Sequence, residues 1–321
     1  MPQPTTDLTG AIDAPVPAPA GTASVVIVTN GRADKLRRSV AAVLSQTRPP
    51  DELVIVNPVA DAATTAVVDE LAAAVPSSLR LVHLTTPMNS IALGENYGMV
   101  AATGDIIAFT DDDAEVFPDW LERISRFYQD PAVGGVCGRD IIYQDGVRLT
   151  GRTRRVGRIS WRLSKAGFFH LEGAPRQRVS VMKGVNMSVR RGLTAMLDER
   201  LLGPNEACWE DDLSLHIRRL GYDLWFDPEI VVNHYRAGGP VALEQQYIYF
   251  HNETYVLLKY SWLPQQLLFV AWSFTIGLLV QLITALRERR LIHTRLYLRG
   301  RVNGLRSYVA AVAGKELASW R

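Results

Sequence analysis

The sequence carries two clusters of carboxylates, Asp111-Asp112-Asp113 and Glu210-Asp211-Asp212, with one histidine, His234, downstream of both. The first cluster directly follows an apolar run, Ile106–Thr110. On a strand or extended turn, alternation aims Asp111 and Asp113 to one side and Asp112 to the other. Two hard carboxylates at a strand's carboxyl end suit Mg²⁺ or Mn²⁺. Such an ion takes one or two protein carboxylates and completes its octahedron with phosphate oxygens and water. The alternative for the same three residues is a solvated acidic loop that caps the next helix, with Asp113 placed as the cap.

The second cluster follows Trp209 and opens a predicted helix over Leu213–Leu220. Acidic residues in a first helical turn are favoured by the macrodipole alone. Otherwise one carboxylate faces a crevice as a general base, since an ordinary aspartate is ionised at neutral pH and can take a proton from a hydroxyl. Trp209 offers a flat apolar face to a sugar ring, which with Glu210 would form an acceptor side. His234 closes the following strand, where an imidazole serves as a third metal ligand, as a phosphate contact, or as a satisfied structural residue.

A scaffold has to bring these groups together. Ser24–Thr29 and Leu53–Val56 read as buried strands, and Leu79–Leu84 and Asp105–Thr110 as further strands. Leu36, Val40, Val43 and Leu44 repeat with helical spacing, and further helices are expected at Asp61–Val75 and Ile91–Ala102. Alternating strands and helices predict a doubly wound, mostly parallel α/β sheet up to about residue 135. Such sheets hold ligands in the crevice beyond the carboxyl ends of their strands. The pattern resumes over Val179–Val189, a helix beginning near Glu210 and ending at Gly221, and a strand over Asp223–Phe226. Between them, Val147–Leu171 holds seven basic residues, Lys165 among them, and no acid, and is expected to be a long, partly mobile excursion.

Composition narrows the class. The chain has 321 residues, 47% hydrophobic and 21% charged, which excludes collagen-like, wholly disordered and disulfide-stapled proteins. Cys137 and Cys208 are expected to be buried free thiols. The net charge of +2 hides an asymmetry, because Arg287–Arg321 holds nine basic residues against two acidic ones. Nucleic acid is not an expected partner, since the rest of the chain is acidic and no nucleic-acid module is recognisable. Residues 1–22, with five prolines, lack the basic start and apolar core of a secretory signal; they read as a disordered arm on a cytoplasmic protein.

From Tyr260 to Leu286 there is no charge, a stretch long enough to span a bilayer. Its polar residues Gln266, Ser273, Gly277, Gln281 and Thr284 nevertheless share one helical stripe. A crossing would also carry the basic tail outward, against the positive-inside rule. The preferred reading is helices lying in the interface with their arginines on anionic headgroups. A buried helix packed on the catalytic domain or on a second subunit is the alternative.

Four stretches in order resemble a family 2 inverting glycosyltransferase of the GT-A fold. They are SVVIVTNGRADKLRRSVAAVLSQTRPPDELVIV, GENYGMVAATGDIIAFTDDDAEVFPDWLE, GVNMSVRR and WEDDLSLHIRRLGYDLWFDPEIVVNHY. The resemblance spans about Ala23–Gly239 and implies that Asp111 and Asp113 are the family's DxD pair. Asp113 would bind the metal, Asp111 would contact the nucleotide ribose or the metal's water shell, and Asp112 would lie on the donor side. It also implies that Asp211 is the catalytic base, His234 the late histidine near the metal, and Thr29 part of the nucleotide pocket. Two departures stand out. Asn57-Pro58 replaces the usual base-reading aspartate, so Asn57 would read the base with a donor and an acceptor. The spacing from Glu210 to Gly221 is about one residue short, which makes Asp212 a rival base.

The expected organisation is therefore an arm at 1–22, a GT-A catalytic domain at 23–240 and a helical, amphipathic, basic C-terminal region at 241–321. The expected activity is metal-dependent, inverting transfer of a sugar from a UDP-, GDP- or dTDP-sugar to a glycan or lipid-linked acceptor. Such an enzyme would serve envelope or polysaccharide synthesis, peripheral on the inner face of the membrane. A sugar nucleotidyltransferase would need a Gly-rich basic loop after the first strand, and Thr29-Asn30-Gly31-Arg32 is sparse for one. A membrane-bound scaffold that has lost turnover is the non-enzymatic alternative.

Overall fold

In the computed structural model, residues 21–87, 89–194, 196–198, 200–201, 207–236 and 243–314 are described; apart from Gly21 and Thr22, the expected N-terminal arm lies outside them. Strand β1 (Ala23–Val28) leads through helix α1 (Ala33–Leu44) to β2 (Glu52–Pro58), α2 (Ala62–Ala74), β3 (Arg80–Thr86), α3 (Ile91–Ala101) and β4 (Ile106–Phe109). Strands β1 and β2 are apolar on both faces, as strands covered on both sides must be. Val25, Ile27 and Ile55 pack with Leu36, Val40 and Val43 of α1 and with Val67 and Val68 of α2. Val26, Val54 and Val56 pack on the opposite layer with Met99 of α3. Gly98 lets α3 press onto β1, because a Cβ there would lie 2.4 Å from Val26 Cγ1.

Short β5 (Ala114–Val116), α4 (Trp120–Phe127) and long β6 (Val133–Gln144) follow. The expected excursion is packed rather than loose. It holds β7 (Val147–Arg148) against β6, a hairpin of β8 (Arg158–Ile159) and β9 (Lys165–Ala166), and β10 (Gln177–Arg178). Apolar residues set among the arginines (Val156, Leu163 and Phe169) are buried and anchor it. Then come β11 (Met187–Arg190), α5 (Trp209–Arg219) and β12 (Asp223–Arg236). Strand β12 runs well past the expected Phe226, through a register shift between Asp227 and Val231, so His234 lies within it and pairs with Ile142.

The sheet order is β10-β12-β6-β11-β4-β1-β2-β3. The β4-β1-β2-β3 portion is parallel, and β11 enters antiparallel between β4 and β6. The order reverses between β1 and β4, so the carboxyl ends of those two strands open the crevice such a sheet provides for a ligand. Among the described residues four helices follow: α6 (Leu243–Lys259), α7 (Leu263–Trp272), α8 (Leu278–Arg287) and α9 (Ile292–Val312), with a π turn at Ser273–Gly277 joining α7 to α8. Tyr255 and Val256 of α6 sit in the same core as Trp209 and Leu213, which ties the helical region to the sheet. Both cysteines are buried and free.

Candidate active site

Beyond β4 the chain turns through Asp112 and Asp113, closed by the Ala114 N–H on the Asp111 carbonyl, and the three aspartates separate to the expected sides through this turn and not through strand alternation. Asp111 and Asp113 converge on His234 Nε2, at 3.7 and 3.3 Å. Asp112 turns the other way and is fully buried, accepting a 2.5 Å hydrogen bond from Thr29 Oγ1 and pairing with Arg32 at 2.9 Å. Burial pushes the Asp112 carboxyl up to about 7 despite Arg32. Its place is thus beneath the β1 end, where it holds Thr29 and Arg32. Asp113 also receives Arg32 Nη1 and Lys35 Nζ, both at 3.1 Å. Burial raises it, but the bonds and charges of His234, Arg32 and Lys35 outweigh that and hold it well below the usual carboxylate range.

His234 is built as a ligand is built. Its Nδ1 lies 3.2 Å from Asp140 Oδ1, and Asp140 is itself buried and paired with Lys183. A carboxylate on one ring nitrogen fixes the tautomer and aims the other at a metal. Burial works against a charged imidazole, yet the hydrogen bonds and charges of Asp113 and Asp140 outweigh it and lift His234 to about 9. Among the described residues, Asp111, Asp113 and His234 are the one group whose ligand atoms, all within 4.8 Å of one another, could hold an ion. Two carboxylate oxygens and one imidazole nitrogen fit Mn²⁺ or Mg²⁺ with positions left for phosphate.

The crevice is a cavity of about 390 Å³ walled by Thr29, Arg32, Asn57, Glu95, Asp111, Lys183, Trp209 and Glu210. Asn57 lines it, but its amide is engaged within the protein. Nδ2 donates to the Pro58 and Asp61 carbonyls and to Thr65, while Oδ1 lies 2.6 Å from His83 Nε2. The expected pair of free hydrogen-bonding groups for a base is therefore largely spent. A second cavity of about 170 Å³ adjoins the first and is walled by Lys165, Phe168, His170, Lys183, Glu210 and Asp211.

Helix α5 splits the second acidic cluster. Cys208 caps it in the left-handed region, at φ 73°, a conformation uncommon outside glycine that sets the direction of the first turn. Trp209 is 6% exposed, packed edge-on against Phe109 at 5.8 Å and over Gly184, where a Cβ would lie 2.5 Å from the indole. Packing takes up most of the ring that the sequence offered as a sugar platform. Glu210 projects to the junction of both cavities. Burial and then the neighbouring charge of Asp211 push its carboxyl upward. Asp211 borders the smaller cavity, where Lys165 of β9 holds it at 2.6 Å. Asp212 faces away from both and pairs with Lys259 of α6 at 2.9 Å.

Lys165, Lys183, Asp140, Arg32, Lys35 and Glu95 are site residues that the sequence reading did not single out. Arg32 and Lys35 follow the first strand at a spacing that places both at the start of α1, a signal open to reading. Asp140 meets His234 only because β6 and β12 pair, which no local pattern announces.

Comparisons with known proteins agree with this architecture. The chain matches the Glycosyl transferase family 2 model over residues 24–196, more than half its length. It is 31% identical over 150 residues to the O-antigen biosynthesis protein RfbC of Myxococcus xanthus, covering 44% of this chain and 11% of that one. It is 33% identical over 123 residues to the glucosyl-dolichyl phosphate glucuronosyltransferase of Haloferax volcanii, covering 36% and 38%. The chain thus spans well under half the length of these curated relatives. Among solved structures, GalNAc-T7 with UDP, GalNAc and Mn²⁺ superposes with a TM-score of 0.58 at 16% identity, over 73% of this chain and 47% of that one. The mannosyltransferase PcManGT of Pyrobaculum calidifontis, in complex with GDP-Man and Mn²⁺, gives 0.53 at 18% identity, over 96% and 81%. Those likenesses show the GT-A-type fold, and the family match carries the identification: the chain belongs to glycosyl transferase family 2.

Proposed function

We propose that this chain transfers a sugar, with inversion, from a nucleoside diphosphate sugar to a hydroxyl of a glycan or lipid-linked acceptor in envelope or polysaccharide synthesis. The observation that carries the reading is the Asp111–Asp113–His234 cluster, whose Asp111 lines the larger cavity together with Glu210. The relatives' names, O-antigen and dolichyl-phosphate sugar synthesis, support the acceptor class. The neighbours' UDP, GDP-Man and Mn²⁺ support a nucleotide donor and a divalent ion. A peripheral place on the cytoplasmic face of a membrane belongs to the same reading.

Asp111, Asp113 and His234 would hold Mn²⁺ or Mg²⁺, which supplies positive charge against the diphosphate as it leaves. The larger cavity takes the nucleotide, and the smaller takes the acceptor. Glu210, at their junction, is the group placed to remove the acceptor's hydroxyl proton, in preference to the sequence candidates Asp211 and Asp212. A carboxyl raised by burial is a stronger base than an ordinary one while still ionised near neutrality. As Glu210 takes the proton, the acceptor oxygen bonds to the anomeric carbon from the face opposite the phosphate. The old carbon–oxygen pair departs with the nucleoside diphosphate. Lys183, between the cavities, supplies a cation for the phosphate oxygens, and Lys165 orients Asp211 beside the acceptor.

The test is thermal melting with UDP, GDP and dTDP, each with and without Mn²⁺. One nucleotide should raise the melting temperature in an Mn²⁺-dependent way, by up to about 2.7 kcal/mol of stabilisation at a hundred times its Kd. Asp113→Asn should abolish the shift. No shift with any nucleotide refutes the donor class.

A further inference from the structure

Helix α7, the π turn and α8 form one continuous rod, Leu263–Arg287, of 25 residues. It is built inside out for a helix of a soluble domain. Its polar stripe faces the protein: Gln266 Nε2 donates to the Leu258 and Ser261 carbonyls and to Tyr308 Oη, and the buried Ser273 accepts from Tyr297 Oη at its carbonyl. Gln281 accepts from Thr294 at its carbonyl. Its apolar residues face outward. Leu263, Leu267, Leu279, Ile283 and Leu286 are between 41% and 63% exposed. Exposed Trp262 stands at one end of this ridge and exposed Arg287, Arg289 and Arg290 at the other.

By length alone the rod, about 37 Å at 1.5 Å per residue, could cross a bilayer. Its contacts argue against that. The pairings Thr294–Gln281, Tyr297–Ser273 and Tyr308–Gln266 lay α9 antiparallel along the rod's whole inner face. Exposed Arg295, Arg299 and Arg306 ride on α9. A crossing would drag those arginines into hydrocarbon or strip the rod of every polar contact it makes, and both are strongly disfavoured.

We propose that the ridge docks into the headgroup–acyl boundary of an anionic bilayer, with the rod lying in the plane and the arginines reaching phosphates on its flank. This rests on the peripheral membrane location proposed above and names the surface responsible. Charge complementarity selects the occupant. Between Arg287 and Gly314 the one acidic residue is Glu288, so a second copy of this face would offer the arginine row almost no counter-charge, whereas anionic lipids offer it everywhere. Tryptophan and arginine at the two ends are the side chains that favour such an interface.

The test is co-sedimentation of the full chain with phosphatidylcholine vesicles, with and without phosphatidylglycerol. The chain should sediment with the anionic vesicles and be released by high salt or alkaline carbonate. Leu279→Glu with Ile283→Glu should lower the bound fraction roughly tenfold or more, since affinity scales with buried apolar area. Arg289→Glu with Arg290→Glu should abolish the preference for anionic lipid. These residues are exposed, and an unchanged melting temperature confirms that the variants fold. Retention after carbonate would show a crossing and overturn the proposal. Binding indifferent to both double substitutions would move the contact to another surface. Failure to bind any vesicle would refute docking outright, and a dimer dissolved by Leu279→Glu/Ile283→Glu would give the ridge to a second copy. The Mn²⁺-dependent nucleotide shift is read on the same samples, so loss of vesicle binding with that shift intact refutes docking alone.

Discussion

Beyond β4 the chain turns through Asp112 and Asp113, and the turn lets Asp111 and Asp113 meet at His234 while Asp112 is left to hold Thr29 and Arg32. In the first turn of α5 each residue is rotated by about 100°, so Glu210, Asp211 and Asp212 diverge to a cavity junction, to Lys165 and to Lys259. The two clusters have nearly the same composition. Backbone geometry brings two acids of one cluster together at a histidine and leaves a structural remainder, and sends the three carboxylates of the other to three separate places. Lysines reinforce the division: each of the two α5 aspartates has its own, while Glu210 is left facing the cavities.

Substitution within the α5 cluster breaks this contrast most sharply. Glu210→Gln should lower kcat by about 10²–10⁴-fold, the range for loss of a positioned general base, with little change in donor affinity. Asp211→Asn, which keeps the shape and releases Lys165, should cost about tenfold or less. Steady-state kinetics on both variants decides between them. If Asp211→Asn is the crippling change, the base lies one residue further along than the cavity geometry places it.

The Asp111–Asp113–His234 cluster can be probed from behind. Asp140 touches His234 and Lys183 and lines neither cavity. Asp140→Asn should weaken Mn²⁺ binding about 10–100-fold by releasing the imidazole's orientation. Titration calorimetry reads this directly. An unchanged affinity would mean that the two aspartates alone position the ion.

Much of this was legible in the sequence. Runs such as Ser24–Thr29 and Leu53–Val56 are apolar without alternation, which marks strands covered on both faces; the first two strands and the second and third helices lie close to their expected bounds, and the first helix contains its expected apolar stripe. Asp111 and Asp113 share a side apart from Asp112 as expected, but a turn and not strand alternation sorts them. What escaped depends on partners distant in the chain. Lys165 reaches Asp211 only because Val156, Leu163 and Phe169 bury an arginine-rich segment that looked loose. Asp140 finds His234 through a strand pairing of 94 residues' separation. Asn57 looked like a base reader, but its amide was claimed by Asp61, Thr65 and His83, neighbours whose geometry a one-dimensional pattern does not carry.

Asp212 is the sharper control, because its assigned role is stability and not chemistry. Its partner Lys259 lies 2.9 Å away and also sits 3.1 Å from Asp198, which accepts a hydrogen bond from Tyr255. Burial pushes Asp198 up, but the Tyr255 hydroxyl and the Lys259 charge outweigh it and hold the carboxyl below its ordinary value. A folded-state pKa below the unfolded one means that unfolding takes up a proton at low pH. The stabilisation is therefore complete above about pH 4, the unfolded aspartate value, and is lost as pH falls through the folded value. Lys259→Met should cost about 1–3 kcal/mol at neutral pH, toward the lower end because the lysine keeps some solvent contact. It should also flatten the acid limb of stability against pH, since part of what depresses Asp198 is gone. Urea melts across that range measure both effects. Asp212→Asn should destabilise less, since its amide oxygen still accepts one hydrogen bond from the Lys259 ammonium, and should leave kcat within about twofold. A loss of turnover comparable to that of Glu210→Gln, with the fold intact, would show that the third acid of α5 reaches the substrate after all.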